Sequence, residues 1–230
     1  LEFRRVLFRS ARYFQIRGVG DRSQFREPLN PSVGVILDGI DFSGIGGIST
    51  LFDIAQVEVL RGPQGTLHGA NALGGLINIR SHAPQDEAWY RVSGSIADYD
   101  SYGTGLIATG PLTPQMSYRL ALQQYRSDGY IDNIFLERDD VNDQRESTAR
   151  LRLRWQMDDA SVDMTALYVD LDNGYDAFSL DNNRKTRSDE PGHDRQESSA
   201  LSLGYSRTLA ATTLETRLSL AQTEIGRAHV

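Results

Sequence analysis

The sequence predicts a mainly β chain in two parts: a compact, glycine-punctuated unit up to about residue 85, then about seven antiparallel strands of a transmembrane barrel wall. Three observations predict it. Short apolar strands alternate with glycine turns before residue 85, and longer segments with period-two alternation follow. The connections between those later segments also alternate short and long.

The first part reads, in order, "YFQIRGVG" (13–20), "VGVILDGID" (33–41), "AQVEVLRG" (55–62) and "GGLINIRS" (74–81). Between the last two, Gly62, Gly65, Gly69, Gly74 and Gly75 supply positive φ or close backbone approach. Pro63 stiffens the same turn and removes a donor. "HAPQDEA" (82–88) marks the change of pattern.

The second part begins with "WYRVSGSIA" (89–97) and "SYGTGLIATG" (101–110). "SYRLALQQY" (117–125) places Tyr118, Leu120 and Leu122 on one face. "STARLRLRWQ" (147–156) sets Ala149, Leu151, Leu153 and Trp155 against Arg150, Arg152 and Arg154, so the second side meets water or polar protein. "SVDMTALYVD" (161–170), "SALSLGYS" (199–206) and "TTLETRLSL" (212–220) complete the series, the last two with Leu201, Leu203, Tyr205, Leu214, Leu218 and Leu220 in phase. Sequential strands without a helical insert predict an antiparallel meander or barrel wall. The connections "PLTPQM" (111–116), "MDDA" (157–160) and "RTLAA" (207–211) are short, whereas 127–146 and 171–196 are long and polar. Short turns at one rim and long loops at the other characterise outer-membrane barrels.

Composition bounds the chemistry. The 230 residues are 39% hydrophobic and 9% aromatic, enough for real cores, and contain no cysteine, which removes disulfides and thiolate metal sites. No apolar run approaches the roughly 18 residues of a spanning helix, so any membrane crossing falls to strands. Both ends, "LEFRRVLFRS" (1–10) and "EIGRAHV" (224–230), read as translated sequencing-library adapter and are set aside. Without them, 24 less 4 Lys+Arg face 31 less 2 Asp+Glu, leaving residues 11–223 with a formal charge of −9. So acidic a chain is a poor candidate for binding nucleic acid through phosphate contacts, and none is expected as a partner. The chain is then expected to be open at both ends.

The glycine bend does not cradle phosphate: the Gly-Lys-Ser/Thr ending of a P-loop is absent and no clear helix follows, while "GVG" (18–20) is too short for a dinucleotide fingerprint. His68, His82 and His193 are scattered, and His229 lies in the suspected adapter, so no metal-ligand spacing arises. "DLDNGYD" (170–176) has its glycine one place early for a calcium loop and Asp181 where the terminal glutamate belongs, so it is read as a turn. The acidic pairs of the loops are too common to assign acid and base roles. Neither an enzyme nor a resident cofactor is expected.

"IRGVG", "VGVILDGID" and above all "FDIAQVEVLRGPQGTLHGANALGGLINIRSHAP" (52–84) resemble, in order and spacing, the plug domain of TonB-dependent outer-membrane receptors, and the strand-rich tail extends the likeness over most of residues 12–222. The resemblance implies a partial α/β plug over 11–85 and the N-terminal part of a roughly 22-stranded barrel over 86–223. It also implies residence in the bacterial outer membrane against its lipid, and import of a scarce ligand, foremost a ferric siderophore or other metal chelate. Haem, cobalamin or an oligosaccharide are the alternative cargoes. The energy would come from the TonB complex, acting through a TonB box outside these residues. A signal-transducing receptor of the same fold is the second reading, and a passive porin or adhesin barrel a distant third.

By the same resemblance, Arg17 of "IRG" and Arg61 of "LRGP" are a plug-to-barrel latch whose glutamate partners lie beyond residue 223. Charges held away from water interact strongly, which suits a switch. Asp38 and Gly39 match the family's strand-end turn and are expected to be structural, as are Gly62, Pro63, Gly65, Gly69, Gly74 and Gly75, which pack plug strands inside the barrel. The plug apices, 21–30 and 41–47, offer Arg22, Gln24, Arg26, Phe42 and Ser43 as ligand contacts. Tyr130, Phe135, Tyr175 and Phe178 of the long loops are candidates for aromatic walls and equally for loop packing or an interfacial aromatic girdle. Alone, these barrel strands would expose two unpaired edges and aggregate in water.

Overall fold

The computed structural model describes residues 14–20, 31–43, 51–65, 71–175 and 183–228. In chain order the strands are β1 (Gln15–Ile16), β2 (Val19–Gly20), β3 (Val33–Leu37), β4 (Ile40–Asp41), β5 (Ile54–Arg61) and β6 (Gly75–Ser81). Then come β7 (Trp89–Ala97), β8 (Ser101–Thr113), β9 (Met116–Ser127), β10 (Asp132–Asn133) and β11 (Gln144–Gln156). The series ends with β12 (Ala160–Tyr175), β13 (Lys185–Thr186), β14 (Gly192–Leu209) and β15 (Thr212–Ala228).

Two sheets carry the architecture. The wall is a seven-stranded antiparallel meander in the order β15-β14-β12-β11-β9-β8-β7, and the inner sheet is four-stranded in the order β4-β3-β6-β5. Register aligns the outward side chains of the wall into rows. One row runs Tyr90, Ala108, Leu120, Leu151, Ala166, Leu201 and Leu220 across all seven strands. A neighbouring row holds Tyr118, Leu153, Met164, Leu203 and Leu218. Trp155, Val162 and Tyr205 border these rows on the side of the short turns, and Leu106, Leu122, Ala149 and Tyr168 on the side of the long loops. Four such rows span on the order of 20 Å along the strands, comparable with the roughly 25 Å apolar band of an outer-membrane barrel and its aromatic borders.

The opposite face of the wall covers the inner sheet. Val33, Val35, Leu37, Ile40, Phe42, Ile77 and Ile79 of the inner sheet form one core with Leu167, Val169, Leu171 and Ala200 of β12 and β14. Burial of these side chains from water is the main force seating one sheet on the other.

Local chemistry explains the turns of the inner sheet. Leu37 pairs with Ile40 across Asp38 (φ 49°) and Gly39 (φ 82°), the two positive φ values of a type I′ hairpin. Gly75, at φ 151°, lies so close to Leu60 O and the Ile16 side chain that a Cβ there would approach each to 2.6 Å. Gly74 similarly adjoins Val19 and Ser32 O, while its N–H donates to Ser32 O at 2.7 Å. The backbone is closely packed at Gly74 and Gly75. Gly62 has open space around it but a φ of 86°. Gly65 is exposed, and Gly69 lies outside the described residues.

Two expectations are corrected. Residues 171–175 and 192–196, expected in the long polar connection, extend β12 and β14. Polar Asn173 and Gln196 point into the buried interior, so the strands continue above the apolar belt without looking amphipathic in the usual sense. For the same reason "DLDNGY" is strand, not turn. At the other end, β15 runs through residues 224–228 in ladder with β14, a pairing that backbone groups make whatever the side chains.

Candidate functional site

Among the described residues, the polar junction between inner sheet and wall is the most organised chemistry. β3 ends, β5 begins and β6 ends at the same edge of the inner sheet, which brings Asp38, Asp53 and Ser81 together. Opposite them stand the inward arginines of β9 and β11. Arg119 and Arg152 are direct cross-strand partners, three and four residues from the short turns of their strands. Like charges in that position repel, so acidic partners from the inner sheet are what make the placement stable.

Asp53 supplies the first. Arg119 donates to both of its carboxylate oxygens, Nε at 2.8 Å and Nη2 at 2.5 Å. The side chains are 4% and 2% exposed, and a forked, buried pair of this kind is strong and geometrically specific. Arg150 Nη2 donates to Phe52 O at 2.7 Å and Asp53 O at 3.1 Å, and lies 3.9 Å from the Asp53 carboxylate. Asp53 has a positive φ of 57°, a conformation aspartate tolerates better than most residues. The remaining nitrogen of Arg119, Nη1, has no hydrogen-bond acceptor. The guanidinium instead faces the Trp89 ring, 5.0 Å from its centroid, where the π face provides part of the missing attraction.

Asp38 supplies the second. Its carboxylate accepts from Ser81 N at 2.9 Å and Ser81 Oγ at 2.6 Å, and lies 3.9 Å from Arg152 Nη1. Arg152 Nη1 donates onward to Ser81 O at 2.9 Å and His82 O at 3.2 Å. Gln85 N donates to Thr109 Oγ1 at 3.0 Å. The covalent connection from inner sheet to wall is thus pinned at the same place as the ion pairs. The Asp38–Gly39 turn is also an anchor: Arg217 of β15 lies against Gly39.

The predicted arginines lie elsewhere. Arg17 caps the β1–β2 hairpin at φ 54°, and Arg61 ends β5, opposite Asp53. Ile16 and Val19 of that hairpin touch the Gly75 and Gly74 positions, so Arg17 and Arg61 emerge at one end of the inner sheet. Both are exposed, with no ion-pair partner among the described residues. The inner sheet therefore has a basic end and an acidic end, and the acidic end faces the wall described above.

Of the candidate ligand contacts, Phe42 is corrected: at 2% exposure it belongs to the core and offers no surface to a ligand. Ser43 Oγ accepts from Val35 N at 3.0 Å and so closes the strand end. Arg22, Gln24, Arg26 and Phe178 lie outside the described residues. Tyr130 packs edge-on to Tyr99, centroids 6.4 Å apart, and the Tyr99 hydroxyl accepts from Arg184 Nη1 at 2.8 Å. β10 pairs with β13, and Asn133 Nδ2 donates to Ser188 O at 2.8 Å, so the long loops form one linked cap. Phe135 is exposed on that cap and Tyr175 is half-buried at the end of β12. In the same loop Arg138 Nε donates to Asp140 at 2.8 Å. That bond holds the Asp140 carboxyl below its usual range and raises Arg138.

Sequence reasoning isolated the alternating arginines of β11 but not Asp53, Arg119 or the apolar patch of β12. A signal for the patch exists. "TALYVDL" is apolar on both faces, the mark of a strand covered on both sides.

Comparison with known proteins agrees with this architecture. Residues 8–76 match the family model described as the TonB-dependent receptor plug domain. The pesticin receptor of Yersinia pestis is 33% identical over 150 residues, 65% of this chain and 22% of that receptor. The vitamin B12 transporter of Vibrio vulnificus is 26% identical over 132 residues, 55% of this chain and 22% of the transporter. The chain thus spans about a fifth of the length of the curated relatives it matches. The ferric yersiniabactin uptake receptor of Yersinia pestis superposes with a TM-score of 0.83 at 23% identity, over 95% of this chain and 36% of that one. The pyoverdine receptor of Pseudomonas aeruginosa gives 0.67 at 20% identity, over 85% and 31%. At these identities the superpositions speak for the fold.

Proposed function

Since the chain is part of a TonB-dependent receptor of the bacterial outer membrane, with plug strands seated against seven consecutive barrel strands, we propose that the whole protein imports a metal chelate, foremost a ferric siderophore, driven by the TonB complex. The observation that carries this reading is the plug itself. In the closed barrel, a sheet seated on the inner face of the wall through buried ion pairs would obstruct the lumen, so transport would require work on the plug. The metal-pseudopaline receptor of Pseudomonas aeruginosa, 33% identical over 81 residues, supports the chelate class. Arg17 and Arg61 remain the proposed latch toward glutamates outside the described strands. Arg22, Gln24, Arg26 and Ser43, with Tyr130 of the cap and Tyr175 at the end of β12, remain the proposed ligand contacts. The likeness to a vitamin B12 transporter makes cobalamin the second cargo to test.

The test is uptake by the intact receptor in a host stripped of its own chelate receptors, using a panel of radiolabelled ferric chelates and cobalamin. Accumulation of a ferric chelate that disappears when TonB is inactivated is the expected result. Accumulation of cobalamin alone would replace the cargo, and uptake indifferent to TonB would overturn the energised mechanism.

A further inference from the structure

The outward face of the wall carries a second feature, between the apolar belt and the long loops. Register places Tyr102, Arg126 and Arg145 side by side on β8, β9 and β11. One row nearer the belt come Thr104, Gln124 and Ser147, then the apolar rows Leu106, Leu122, Ala149 and Ala108, Leu120, Leu151. From the belt upward the face is therefore apolar, neutral polar, then basic, the profile of a phosphorylated lipid.

Arg126 and Arg145 are direct cross-strand partners, an arrangement destabilising for like charges unless an anion lies between them. Arg145 reaches Asp143 at 3.1 Å but remains 55% exposed, and Arg126 has no ion-pair partner among the described residues. Adjacent strands stand about 4.8 Å apart, so both guanidinium groups can converge on one phosphate, with the Tyr102 hydroxyl as a further donor. On β12 and β14 the same two rows hold Asp170, Asp172 and Glu197, and Arg195 is already paired with Asp172 at 2.8 Å. The basic character is confined to the β8–β9–β11 side.

We propose that Tyr102, Arg126 and Arg145 bind the phosphate of an outer-leaflet lipid whose chains lie on Leu106, Leu122, Leu120 and Leu151. The proposal needs the barrel reading but not the cargo. The test uses the full receptor reconstituted in phosphatidylcholine nanodiscs containing a minor fraction of lipid A, with retained lipid A counted by native mass spectrometry. The double change Arg126→Gln and Arg145→Gln is expected to lower retention about tenfold, the worth of a charge-assisted contact. Arg207→Gln, near the opposite rim, should leave it unchanged, and inorganic phosphate at the same concentration should not displace the lipid. If the double variant fails to insert, the single changes are read in the same way. Equal retention by wild type and variants, equal loss in Arg207→Gln, or displacement by inorganic phosphate alone would overturn the proposal.

Discussion

Asp53 and Arg119, 66 residues apart in sequence, form a forked ion pair sealed between plug and barrel wall, with Arg150 against the same aspartate. The pair joins the two parts of the chain with its side chains only 4% and 2% exposed. Removing one side strands a buried charge, which is costlier than never having the pair.

Asp53→Ala is accordingly expected to destabilise plug seating by about 3–5 kcal/mol. The double change with Arg119→Ala should cost less than the sum of the singles. Protease accessibility of the plug in the intact receptor, measured across the four variants of the cycle, checks both statements. Additive effects would mean that the two side chains act independently.

Gly39→Ala should destabilise the plug by about 1–3 kcal/mol, because the position has a φ of 82° and a Cβ would run into Arg217. Pairing it with Arg217→Ala should remove the steric part and leave the backbone part. Thermal unfolding of the reconstituted receptor reads the difference.

On the outer face, Leu201→Arg lies in the central apolar row and should cost about 2–4 kcal/mol, whereas Gln124→Arg, two rows nearer the loops, should cost about 0–1 kcal/mol. Unfolding titrations in lipid vesicles distinguish them. Equal costs would remove the assignment of that row to the hydrocarbon layer.

In the cap, Arg138 depresses Asp140. The stabilisation from this pair is therefore fully present above the ordinary carboxylate value near 3.9 and is lost as pH falls through the lower folded value. Both side chains are substantially exposed, so the contribution is below about 1 kcal/mol. Hydrogen exchange of residues 128–143, corrected for intrinsic rates, should rise only slightly in acid, and Asp140→Asn should show the acid level already at neutral pH.

Much of this fold was legible in the residues. Period-two alternation found the wall strands and their outward leucines, and the resemblance placed a strand-end turn at Asp38 and Gly39, whose positive φ values are those of a type I′ hairpin. The extent of β12 and β14 was not legible, because their ends are polar toward a buried interior and polarity alone reads as loop. Phe42 was misplaced for the converse reason: a lone aromatic beside glycines looks like a binding contact until the sheet behind it is seen. The acidic end of the plug escaped notice because Asp53 gains its meaning from Arg119 and Arg150, which only the seating of one sheet on the other brings near.

The most direct test of that seating is cross-linking in the intact receptor within outer membranes, using Asp53→Cys with Arg119→Cys and a short bifunctional thiol reagent. These 230 residues contain no native cysteine to compete. Rapid cross-linking of the pair, and none when Arg119→Cys is replaced by Leu120→Cys on the lipid face, is the predicted result. Failure of the first pair to cross-link in a folded receptor would contradict the placement of the plug's acidic end against β9 and β11.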